Sequence, residues 1–164
     1  MSFSLFARLL VLRANPQDLP ADARVLAIAL AAHVIADVLA LLDTMALAPA
    51  LFAAALDTVL LVALAHTALL LRGFGARALQ TIAALAGTGA LLSLLHWLLS
   101  SALLFDSPLV LGLPFLGWFL AVYAHILREA LSISYAAALG ASLVYIILSL
   151  GVAGIVLPPP VEAP

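Results

Sequence analysis

The chain has 164 residues, of which 67% are hydrophobic and 9% charged, and its mean hydropathy is +1.31. That composition excludes an ordinary soluble globular domain and defines an integral membrane protein. A net charge of −2 gives no basis for binding nucleic acid, and zero Cys excludes disulfides, thiolate metal sites and cysteine nucleophiles.

In chain order, residues 1–14 form the first predicted element. Phe3, Phe6, Leu9 and Leu10 can share one helical face with Arg8 and Arg13 to its side, the pattern of an amphipathic interfacial helix. Arg8 splits the apolar run and no small-residue cleavage site comes after it, which argues against a signal peptide. Residues 15–23 are a Pro-containing linker, because Pro16 and Pro20 break helical conformation before them and Asp22 is placed to cap the first span.

Residues 24–157 are predicted to form a transmembrane domain of five helices, roughly 24–42, 50–71, 78–104, 109–127 and 134–157, each near the ~20 residues that cross a bilayer. Pro114, with Gly112 and Gly117 nearby, marks the expected kink in the fourth. The separators carry charge, Gly or Pro, and the Pro-rich residues 158–164 form an outer tail too short to fold. In this layout Arg8, Arg13, Arg24, Arg72, Arg77 and Arg128 all fall on one side, whereas Asp43, Asp106 and Glu162 fall on the other. Because arginines collect in cytoplasmic loops, the amino terminus is expected in the cytoplasm and the carboxyl terminus in the periplasm of a bacterial inner membrane. The fold class is therefore all-α, a polytopic membrane helix bundle.

The first span carries His33 and Asp37 four residues apart, on one helical face with Ala29, Ala36, Ala40 and Thr44. An Asp in mid-membrane costs about 2.5–3.5 kcal/mol, so this stripe should face protein or a polar cavity, with Asp37 paired to His33 or held neutral. Asp57 and His66, nine residues apart on the second span, point to opposite sides and cannot serve one site from one face. His96 on the third span shares a side with Gly89, Ser93 and Ser100. The spacing recurs at His125 and Glu129, where Arg128 is adjacent and an ordinary solvated helix end explains it.

Four His, one in each of the first four spans, raise a haem or metal reading. Their depths are roughly 14, 9, 28 and 5 Å for His33, His66, His96 and His125, which is no layer, so no metal and no cofactor is expected. His66, His33, Asp37 and Asp57 do succeed one another in depth, at roughly 9, 14, 20 and 22 Å, as a proton path would. Ala83 with Gly87, and Ala136 with Gly140, have the small-xxx-small spacing of close helix packing. No catalytic signature appears; the Ser93, His96, Ser100 face is the one hydrolase candidate and no acid accompanies it, so the chain is not expected to be an enzyme.

The short amphipathic helix, the "LRANPQDLP" break and the five spans with the amino terminus inside resemble bacterial Yip1-type membrane proteins. The tyrosine and glycine motifs of eukaryotic members are absent from the first spans, so the resemblance implies the layout and carries over no functional residue. The expected function is that of a scaffold or accessory subunit, packing against further copies of itself or other membrane subunits in the lipid bilayer. The alternative is a small proton-coupled carrier or channel-like module using His33 and Asp37.

Overall fold

The computed structural model describes residues 3–102 and 108–156; Asp106 and the tail 158–164 lie outside them. The described residues form six α-helices and no strand: α1 (Phe3–Leu10), α2 (Ala23–Leu41), α3 (Leu47–Leu71), α4 (Ala78–Ala102), α5 (Pro108–Leu131) and α6 (Tyr135–Val156). Four of these, α2 to α5, are long and apolar enough to cross a membrane. Asp22 accepts from the Arg24 amide at 2.8 Å and so caps α2. Gly73, at φ +73°, ends α3 in the left-handed conformation that lets the Phe74 amide reach back to the Leu69 carbonyl at 2.8 Å.

Helix α4 is the axis of the bundle, and every residue from Thr81 to Ala90 is buried. Its run of Ala and Gly explains this, because small side chains let neighbouring backbones approach closely. Helix α2 packs along α4 in the same direction, since Gly89 lies against His33 and Ser93 against Asp37. Helices α3 and α5 flank α4, and α6 closes the bundle against α3 and α5.

The apolar face of α1 is used inside the molecule, with Phe6 and Leu9 buried against α4 and α5. Gly87 makes this possible: a Cβ there would stand 2.2 Å from Phe6 Cε1. At Gly87 the helix that makes the close approach is α1, and the space there admits its Phe6 ring. Beyond α1 the chain is stitched to the bundle residue by residue. Trp118 Nε1 donates to the Leu10 carbonyl at 2.8 Å, His125 Nε2 lies 2.9 Å from the Ala14 carbonyl, and Gln80 Nε2 donates to the carbonyls of Gln17 (3.0 Å) and Leu19 (2.6 Å). His125 therefore tethers the amino-terminal segment, which a merely solvated helix end would not do. By contrast Ala136 and Gly140 are exposed, and a Cβ on Gly140 would meet nothing within 4 Å, so this pair joins no helix among the described residues.

Candidate functional site

The stripe on α2 turns inward as its composition requires, with Ala29, His33 and Ala36 only 2–4% exposed. His33 Nε2 lies 3.4 Å from Asp37 Oδ2 one turn along the same helix. It also lies 3.4 Å from Asp57 Oδ2, which α3 brings across from its own middle. Neither contact is directed well enough to be a hydrogen bond, and both ring nitrogens of His33 are buried without one. Packing holds the ring, which is wedged against Gly89, where a Cβ would lie 3.1 Å from Cε1 and 3.2 Å from Nδ1.

Hydroxyl groups from two further helices orient the carboxylates. Ser93 Oγ on α4 donates to Asp37 Oδ1 at 2.9 Å. Tyr145 Oη on α6 donates to Asp57 Oδ2 at 2.6 Å, and Ser149 Oγ, one turn on, donates to Asp57 Oδ1. Tyr145 is held in turn by ring stacking on Tyr123 (5.7 Å between centroids) and Phe119 (6.4 Å). Tyr123, itself buried, donates to the Leu85 carbonyl at 3.1 Å. His33, Asp37, Asp57, Ser93, Tyr145 and Ser149 all line one cavity of about 340 Å³. Tyr145 also lines a second, apolar crevice of about 220 Å³ between α3, α4, α5 and α6.

Of the residues the sequence singles out, the fold brings together His33, Asp37 and Asp57 and leaves His66 and His96 apart from them. His66 is exposed on α3, which removes it from the depth-ordered path. Its separation from Asp57 comes from the half-turn offset between them, and it is Asp57 that faces inward. His96 is half-buried and sets its ring edge-on against Phe115, 5.2 Å between centroids. It lines a neighbouring cavity of about 500 Å³ that shares Ala40, Ser93 and Phe119 with the site. The hydrolase candidate is redirected by the same geometry: Ser93 serves Asp37, and Ser100 Oγ donates to the Trp97 carbonyl of its own helix.

Sequence reasoning missed Tyr145 and Ser149. The signal that could have found them is their spacing with Ser142, which puts three hydroxyls on one face of an otherwise apolar helix. The arrangement joins an imidazole and two carboxylates whose ligand atoms all lie within 4.8 Å of one another, the chemistry of a cation site. Comparison with family models, with curated proteins and with solved structures gives no match for this chain.

Proposed function

We propose that this chain is a non-enzymatic, multi-pass membrane protein that binds a cation midway through its helix bundle and passes it across the bilayer. The observation that carries the reading is the convergence of His33, Asp37 and Asp57, from two helices, on one cavity braced by hydroxyls from two more. Helix packing alone needs no carboxylate, because neutral polar side chains hydrogen-bond across helices without the cost of burying charge. The tyrosine whose hydroxyl reaches Asp57 lines both the site and the apolar crevice beside it.

In this reading α6 is the fifth span, since its 22 residues reach about 33 Å at 1.5 Å per residue. The six arginines then face the cytoplasm and the carboxyl terminus faces the periplasm of a bacterial inner membrane. A scaffold role is the second reading, and one feature favours it: the small-residue face of α6 at Ala136 and Gly140 is exposed, as a face that packs against another chain would be.

The test is reconstitution in sealed liposomes loaded with fluorescent reporters for protons, alkali cations and divalent cations. Uptake of one cation class, lost in Asp57→Asn, is expected. Vesicles as tight as protein-free ones to all three classes would overturn passage and leave the scaffold reading.

A further inference from the structure

We propose that the site takes one divalent transition-metal ion of the zinc type per chain, through His33 Nε2, Asp37 Oδ2 and Asp57 Oδ2, with a fourth position open to the cavity. This rests on the reading of the cavity as a cation site and names the cation.

Distance comes first. Tetrahedral zinc holds nitrogen and oxygen ligands at about 2.0–2.2 Å, which places neighbouring ligand atoms about 3.3–3.6 Å apart. His33 Nε2 stands 3.4 Å from each carboxylate oxygen, so two edges of such a tetrahedron are already formed. The same distance is long for a hydrogen bond and short for unrelated groups. A buried imidazole used for packing would be expected to satisfy its ring nitrogens, and here neither has a hydrogen bond, while Nε2 stands 3.4 Å from an oxygen of each of two carboxylates.

Donor chemistry narrows the metal. Alkali ions, Mg²⁺ and Ca²⁺ prefer all-oxygen sites, whereas an imidazole with two carboxylates suits zinc and its first-row neighbours. Charge agrees: as metal ligands the two carboxylates are ionised and carry two negative charges, no Arg lines the cavity, and His33 can supply at most one positive charge. A divalent ion balances both. The supporting hydrogen bonds also have the right form. Ser93 holds Asp37 by Oδ1 and leaves Oδ2 for the metal; on Asp57, Ser149 holds Oδ1, and Tyr145 donates to Oδ2 itself, whose remaining lone pair faces the ion, so both hydroxyls fix the carboxylate as outer partners do around metal-binding carboxylates. The adjoining cavity of about 340 Å³ leaves room for a water or an incoming ligand in the fourth position.

The experiment uses the full chain in mild detergent, stripped with a chelator and then dialysed against Zn²⁺, with metal and protein quantified together. Co²⁺ serves as the optical probe, because its visible bands are intense only in tetrahedral or related low-coordination sites. One metal per chain is expected, with Co²⁺ bands that Zn²⁺ abolishes and excess Ca²⁺ leaves unchanged. His33→Ala and Asp57→Asn should lose the bands, Ser93→Ala should weaken affinity about 10–100-fold, and His66→Ala should leave it unchanged. Helicity and elution volume of each variant separate lost ligands from lost folding. The proposal is overturned if the wild-type chain takes up neither metal, or if His66→Ala weakens binding as much as His33→Ala. Metal binding without flux in liposomes would uphold this inference and sink passage. Flux of protons or alkali cations without metal binding would do the reverse.

Discussion

Replacing Gly87 by Ala tests how firmly the amino-terminal helix is seated. The new Cβ would lie 2.2, 2.7 and 2.9 Å from three carbons of the Phe6 ring, where ordinary contact needs about 3.5–4.0 Å. The ring must retreat by more than about 1 Å, although it is only 4% exposed and sits in a close-packed interior. Overpacking of this kind costs about 1–3 kcal/mol. Alanine gains about 1 kcal/mol over glycine in a helix, but it does so whether α1 is docked or not, so the gain cancels from the docking equilibrium. Undocking should therefore become roughly 5- to 150-fold more frequent, which is 1–3 kcal/mol at about 1.4 kcal/mol per tenfold. The protein contains no Cys, so Leu9→Cys, at a position with 0% exposure, supplies a single buried reporter thiol. Its maleimide labelling rate should rise by that factor when Gly87→Ala is added to the otherwise wild-type chain, and Gly87→Ala should add no such rise in a Phe6→Ala background, where there is no ring to displace. Equal labelling rates with Gly and Ala at position 87 would refute the seating of Phe6 on α4.

Three further outcomes are expected. Ser93→Ala removes the donor to Asp37 and should lower stability by about 1–2 kcal/mol, read as a drop in the thermal midpoint in detergent; an unchanged midpoint would mean that water replaces the hydroxyl without loss. Gln80→Ala frees the carbonyls of Gln17 and Leu19, so the 15–23 linker should exchange its amides and be cut by protease faster while α4 stays protected. In intact cells an impermeant maleimide should label Thr44→Cys and leave Ala76→Cys untouched until the membrane is opened, and the reverse pattern would invert the proposed orientation.

The helices were legible because lipid imposes their length: the expected 24–42 and 50–71 correspond to Ala23–Leu41 and Leu47–Leu71, and 109–127 falls short of Pro108–Leu131 only at its charged end. The inward stripe at His33 and Asp37 was legible for the same reason, since a buried charge is too costly to leave facing lipid. Three things were not. Which of Asp57 and His66 faces inward is decided by the rotation of α3 against α2 and α6, and a half-turn separation is silent on that. The amphipathic helix α1 has one apolar face whether it meets lipid or α4, so its sequence could not reveal that Gly87 opens a seat for Phe6. Serine and tyrosine on α6 cost little in a span, so Tyr145 and Ser149 carry no signal until Asp57 is placed beside them.

The cost of the carboxylates is itself informative. Two mid-membrane Asp residues cost about 5–7 kcal/mol on the insertion scale, and three hydroxyl donors at about 1.5–3 kcal/mol each offset that without removing the charge. Two Asn residues would keep the shape and an acceptor oxygen for each site. They would also end the repulsion between like charges, and the hydroxyl of Tyr145 or Ser149 could rotate to accept from the new amide. If Asp37 and Asp57 served packing alone, they would be an inferior choice to Asn. The Asp37→Asn, Asp57→Asn double variant is therefore expected to match or exceed the wild type in thermal stability, measured without added metal, while losing cation binding. A loss of more than about 2 kcal/mol would show that the charges are needed for the fold, and the case for a functional site built on their cost would fail.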